Sequence, residues 1–306
     1  MGKISMSELD VIYISYDEPN ADENWADLLN KCPWAKRSHG VFGSDAAHKA
    51  AAELSETDRF IGIDADNIID PKIFNVEFDE QIMNSKKVFS WAGLNVVNGL
   101  VYGNGGIKAW PVEYAMNMKT HECADKDTNQ VDFCWTDQYV QINKVYSDVY
   151  NNASPLQAYR AGFREGVKMS LEEGVTIPRD DFFDKIYPDN LKRLLTWFTI
   201  GADAKNGLWC MYGARLGFHM TNMSDWDYTN VKDFEYLNEL WKQDIAPKFI
   251  GDDEHCFRTD YSWDRKKLVD EISSLGHSIE DEFEFSIPIF DSKQSKFIKE
   301  IMQCNQ

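Results

Sequence analysis

Apolar residues along the chain fall into short continuous runs separated by polar turns, and only later into helical stripes. Val11 to Ile14 and Phe60 to Ile63 are runs of the kind expected of strands buried on both faces. Between them, Trp25, Leu28 and Leu29 share one face at i, i+3 and i+4, which predicts a helix capped at Asp22 and stopped by Pro33. A second strand is expected over 35–41. An alanine-rich helix is expected over 46–54, with Ser44 or Asp45 as its cap. Residues 88–94 again read as a strand, and 99–108 as a glycine-rich turn between β-type runs. From Ser154-Pro155 the period lengthens: Leu156, Tyr159, Phe163 and Val167 form one apolar stripe, and a further helix is expected around 190–199. Residues 208–220 read as two short strands about the turn at Gly213 and Gly217. The segment 226–306 is aromatic and acidic, without a motif.

Composition narrows the class. With 306 residues and 43% hydrophobic content the chain can bury a large core, as one big domain or two unequal ones. No apolar run is long enough to span a bilayer and the first ten residues lack a signal-peptide core, so a cytoplasmic protein without membrane contact is expected. The six cysteines are scattered and none forms CxxC, which argues against a disulfide framework or a cysteine metal site. A net charge of −19 argues against a broadly basic nucleic-acid surface but leaves room for a local basic groove.

The candidate chemistry centres on residues 58–70. Asp64 and Asp66 stand one residue apart where a buried strand ends, followed by Asn67. Two hard oxygen ligands at that spacing suit Mn²⁺ or Mg²⁺ holding a diphosphate, although a solvated turn explains them as well. His48 and Lys49 lie in the first turns of the 46–54 helix, where anions are favoured, or on a merely solvated face. Gly103, Gly105 and Gly106 allow the backbone to approach a ligand closely, or form a hairpin with a bulge. Arg160, Arg164 and Lys168, at i, i+4 and i+8, make the clearest basic stripe of the chain. They are either a solvated face or phosphate contacts.

The succession of strand, polar loop, helix, strand, small-residue helix, strand and Asp-x-Asp resembles the nucleotide-binding half of GT-A glycosyltransferases. The resemblance implies an α/β fold, GT-A-like: a Rossmann-like nucleotide-sugar-binding sheet flanked by helices, with a mainly helical C-terminal extension. By that likeness Tyr16 and Asp17 would face the base. Asp66 would be the principal metal ligand, supported by Asp64, and His219 would complete the metal site unless it is a core histidine. The stretch Phe133 to Val140 resembles the acidic element, typically Glu-Asp, that opens a helix in inverting members, here as Thr136-Asp137. Asp137 would then be the base that takes the acceptor proton, or simply a helix N-cap.

Longer strings, Ile14 to Trp25, Ala47 to Ala52, Ala161 to Gly166 and Tyr212 to Arg215, are similar to glycosyltransferases of large T-even-type tailed phages. Some of these put sugars, arabinose among them, on 5-hydroxymethylcytosine in DNA. The likeness implies a metal-dependent, inverting enzyme that transfers arabinose or glucose from a UDP-sugar to hydroxymethylated cytosine in double-stranded DNA, in the cytoplasm of an infected cell. A core over 1–225 with an inserted helical segment 154–200, and an accessory region over 226–306, are expected. A protein or glycan acceptor, or a nucleotide-sugar-binding module without turnover, remains the alternative.

Overall fold

The computed structural model describes residues 2–103, 105–120, 138–250 and 263–304. By its internal contacts the described chain divides into two units. The first takes residues up to 96, 101–120 and 138–150, and the second takes 97–100 and 151–304. The two are described separately.

The first unit is α/β. Its strands are β1 (Lys3–Ser5), β2 (Asp10–Ser15), β3 (Lys36–His39), β4 (Arg59–Asp64), β5 (Asn67–Ile69), β6 (Glu77–Asp79), β7 (Val88–Asn95), β8 (Val101–Tyr102), β9 (Ile107–Pro111) and β10 (Tyr139–Val149). Its helices are α1 (Ala21–Lys31), α2 (Ser44–Glu53), α3 (Glu80–Met83) and α4 (Val112–Asn117). A mixed sheet runs in the order β3–β2–β4–β9–β7–β10–β5, with β8 on β7 outside that order. β2 is parallel to both β3 and β4, so their carboxyl ends lie on one rim. β9 is antiparallel to β4 and β7, and β10 is parallel to β7.

Alternation along β2 splits the core between the two faces. Val11 and Tyr13 pack with Leu28 of α1, while Ile12 packs with Ala51 and Ala52 of α2. Both faces are covered, and the apolar runs of β2 and β4 are continuous for that reason. Arg59, buried at the start of β4, donates to the carbonyls of Met83, Ser85, Lys87 and Ala109 and ties β4 to the β7–β9 side.

Residues that follow Asp137 depart from expectation. Instead of opening a helix they form β10, seated between β7 and β5. Its β-branched and aromatic residues find backbone partners on both sides there, and that pairing overrides any capping preference. β8 and β9 both run antiparallel along β7.

The second unit is mainly helical: α5 (Pro155–Lys168), α6 (Phe182–Lys185), α7 (Pro188–Thr199), α8 (Gly207–Met223), α9 (Phe234–Leu240), α10 (Ala246–Ile250), α11 (Arg265–Phe283) and α12 (Ser292–Cys304). Ser154 caps α5 by accepting from Gln157 N at 3.1 Å. The two strands expected over 208–220 are instead the single helix α8, and its glycines are packing positions rather than turns. A Cβ on Gly213 would stand 2.2 Å from Tyr159 O, and one on Gly217 2.3 Å from Phe163 O. From the other side, a Cβ on Gly162 would meet Cys210 O at 2.0 Å and one on Gly166 would meet Ala214 O at 2.1 Å. Glycines at spacing four on both helices let α5 and α8 approach backbone to backbone. Because α5 is locked to α8, and the guanidinium of Arg215 on α8 donates to Ile272 O in α11, residues 154–225 cluster with 226–304 rather than with the sheet.

Candidate functional site

Three loops leave the common rim of β2, β3 and β4, the position where open α/β sheets hold ligands. After β2 come Tyr16, Asp17 and Glu18; after β3, Gly40 to Gly43 lead into α2; after β4, the chain turns through Asp64, Ala65 and Asp66 into β5. Buried side chains tie the first and third loops together. The Tyr13 hydroxyl lies 2.9 Å from Ala21 O and 2.8 Å from Ala65 O, and Asn24 Nδ2 donates to Ala65 O at 2.8 Å. Tyr150 N donates to Asp66 O at 2.6 Å and Asn67 Nδ2 to Asp66 Oδ1 at 2.7 Å, so the turn carrying the acids is held from both sides.

The electrostatics of this rim are lopsided. Burial pushes the Asp66 carboxyl up to about 7, and the charges of Asp64 and Glu18 push in the same direction. Glu18 is likewise raised, by burial first and by Asp17 and Asp64 after it, against the hydrogen bond its carboxylate accepts from Tyr16 N at 2.8 Å. Lys108 of β9 offers partial compensation. Its ammonium, on a side chain only 8% exposed, lies 3.8 Å from Asp64 Oδ2 and donates to Gly105 O at 3.1 Å. Glu18 and Lys108 were not singled out in the sequence, although each stands inside a stretch that was: Glu18 directly after Tyr16-Asp17, and Lys108 at the end of the glycine-rich run.

The other expected residues are placed as follows. Tyr16 is exposed, with its ring 6.0 Å from that of Phe42 in an edge-on pair. His48 is buried against Trp110, and its Nδ1 donates to Ser44 O at 2.8 Å; burial lowers its pKa, with Asp64 opposing. Lys49 on the same helix is half-buried. The space left by Gly105 and Gly106 is used by the protein: a Cβ on Gly106 would meet Asn67 Nδ2 at 2.0 Å, and one on Gly105 would meet Gly93 N at 2.5 Å. Asp137 lies outside the described residues.

Four expected residues belong to the second unit. Arg160 and Arg164 stand over the ring of Phe234, at 4.9 and 4.5 Å, and Arg160 also donates to Asn238 Oδ1 at 3.1 Å. Lys168 pairs with Glu165 at 2.6 Å with both side chains nearly buried. The stripe is thus engaged within its own unit and is not a solvated face. His219 sits half-buried on α8 of the second unit, where burial lowers its pKa.

A divalent ion fits the chemistry of the rim. Among the described residues no group of three or more His, Cys, Asp or Glu side chains is placed to hold a metal by itself. Mg²⁺ and Mn²⁺ that bridge to a phosphate need only one or two carboxylates, the remaining positions being phosphate oxygens and water. Asp64 and Asp66 can supply these, and a cation would favour the ionised form of Asp66 that burial, with the charges of Asp64 and Glu18, disfavours. No helix among the described residues is long and apolar enough to cross a membrane. Comparison with family models, with curated proteins and with solved structures finds no match to the chain.

Proposed function

We propose that the chain is a metal-dependent glycosyltransferase with a GT-A-like nucleotide-sugar site on the rim of β2, β3 and β4. The observation that carries this reading is the group of Asp64, Asp66 and Glu18 at the carboxyl ends of parallel strands, where burial first, and the charges of Asp64 and Glu18 after it, bring Asp66 to about 7. A fold does not retain such a group for stability, since each uncompensated charge costs free energy. Mn²⁺ or Mg²⁺, when bound, would neutralise the charge on a departing nucleoside diphosphate.

The chain's own residues would do the rest. Asp66 and Asp64 would hold the ion, with Asp64 oriented by Lys108 and Asp66 by Asn67. Tyr16, exposed beside Phe42, offers an aromatic face for the base. Asp137 is assigned the base by resemblance alone: its carboxylate would accept the proton of the acceptor hydroxyl as that oxygen attacks, giving inversion.

For the acceptor we take hydroxymethylated cytosine in duplex DNA, on the likeness to phage enzymes. A protein or glycan acceptor is the second reading, favoured by the net charge of −19 and by the engagement of Arg160, Arg164 and Lys168 within their own unit. The test is incubation with labelled UDP-glucose and UDP-arabinose, with Mn²⁺, against hydroxymethylated duplex, plain duplex and a glycoprotein mixture. Label on hydroxymethylated duplex alone supports the first reading, and label on the glycoprotein the second. If no UDP-sugar is transferred or hydrolysed with the ion present, the glycosyltransferase reading is wrong; if transfer is the same with and without it, the metal role is wrong.

A further inference from the structure

At the ends of β2 and β3, four polar side chains form a chain of contacts with no part in holding a metal. Arg37 is fixed first: its Nη2 pairs with Asp22 at 2.8 Å and its guanidinium lies over Tyr13 and Trp25 at 5.7 and 5.9 Å. From there its Nε donates to Ser15 Oγ at 3.0 Å, and its Nη2 reaches His39 Nδ1 at 3.3 Å. Ser15 Oγ is itself 2.9 Å from His39 Nδ1. An arginine nitrogen can only donate. Nδ1 of His39 is therefore assigned as the acceptor, the Ser15 hydroxyl donates to it, and the neutral ring carries its proton on Nε2. His39 is exposed while Ser15 is buried, so the lock sits below and a donor of defined character is offered at the rim.

We infer that His39 is a specificity-determining residue of the nucleotide site, its Nε2–H selecting a pyrimidine that carries a carbonyl at C4. The inference rests on the nucleotide-sugar reading of this rim and goes on to name the residue that selects the base of its donor. Sheet order places the parts. Strands run β3–β2–β4 at about 4.8 Å spacing, so His39 stands roughly 10 Å across the rim from Asp64. A nucleotide whose diphosphate lies at Asp64 and Asp66, and whose base stacks at Tyr16, directs the edge farthest from its ribose toward β3. In uracil and thymine that edge bears the O4 acceptor, and in cytosine an amino donor. A fixed N–H facing an amino group leaves two donors without acceptors, so cytosine is rejected for an unmet hydrogen bond rather than for its shape. Ser15 and Arg37 act through His39 and are positioning residues.

The experiment is calorimetric titration of the full chain, in Mn²⁺, with UDP and with CDP. Wild type is expected to favour UDP by about tenfold, the worth of one good hydrogen bond. His39→Ala should weaken UDP about tenfold and leave CDP within about twofold. His39→Gln, whose amide can present either an N–H or a carbonyl, should bind the two about equally, and Ser15→Ala, which loosens the lock, should fall between. If wild type binds UDP but the UDP-to-CDP ratio of His39→Ala and of His39→Gln is unchanged from that of wild type, the inference is wrong while the nucleotide site stands. If wild type binds neither nucleotide, the site reading itself falls and the inference with it.

Discussion

Replacing Asp66 by Asn should make the protein more stable at pH 8, and by an amount that grows with pH in a defined window. The folded-state carboxyl titrates near 7, against an ordinary value of 3.8, because burial and the charges of Asp64 and Glu18 disfavour its ionised form. Between those two pH values the native state holds a proton that the unfolded chain has released. Stability therefore falls as pH rises through the window, and the full penalty is present above pH 7. A gap of about three pH units at about 1.4 kcal/mol each sets a ceiling of about 4 kcal/mol. Asp66 is half-buried, and solvent screening brings the expected effect to about 2 kcal/mol. Asn keeps the shape and can still accept the 2.7 Å bond from Asn67, so the change isolates the charge. Urea unfolding of both proteins at pH 4, 5, 6, 7 and 8, with chelator present, reads the difference directly. It should be near zero at pH 4 and favour the variant by about 2 kcal/mol at pH 8. A difference that is flat with pH, or a variant less stable at pH 8, would show that Asp66 is already compensated in the absence of metal and would refute the reasoning.

Two further outcomes bear on the second unit. Gly166→Ala should lower stability by roughly 1–3 kcal/mol, because its Cβ would stand 2.1 Å from Ala214 O and force α5 away from α8; a thermal midpoint unchanged from wild type would contradict that packing. Arg164→Ala should cost roughly 0.5–1 kcal/mol through loss of its contact with Phe234, and leave the salt dependence of any duplex DNA binding unchanged. A slope of log K against log salt reduced by roughly 0.9 would instead make Arg164 a phosphate contact.

The parallel trio at the rim was legible because its signals are local. The apolar runs in β2 and β4 sit between polar turns, and α1 and α2 follow from their apolar spacing and alanine content, although their N-caps are Asn20 and Gly43 and not the expected Asp22 and Ser44 or Asp45. Helix α8 reads as two strands in the sequence because Gly213 and Gly217 look like turn residues when taken alone. Only their spacing of four, matched by Gly162 and Gly166 on α5, marks them as a contact between helices. β10 is not legible in the sequence for a different reason: its partners β7 and β5 lie far away along the chain, and nothing near Asp137 reports them. At the site, Asp64 and Asp66 stood out by pattern. Glu18, Lys108 and His39 did not, because their meaning comes from strand neighbours. Lys108 meets Asp64 only because β9 runs antiparallel beside β4, and His39 meets Ser15 only because β3 runs parallel beside β2.

The most direct test of the central claim is the affinity of the chain for UDP with and without Mn²⁺, in wild type and in Asp66→Ala. If Asp64 and Asp66 hold an ion that in turn holds a diphosphate, Mn²⁺ should tighten UDP binding by tenfold or more, an effect worth about 1.4 kcal/mol, and a chelator should remove it. Asp66→Ala should keep its circular dichroism spectrum and its metal-free UDP affinity while losing the Mn²⁺-dependent gain. UDP binding that is indifferent to chelator in wild type, or a full Mn²⁺ gain in Asp66→Ala, would contradict the account.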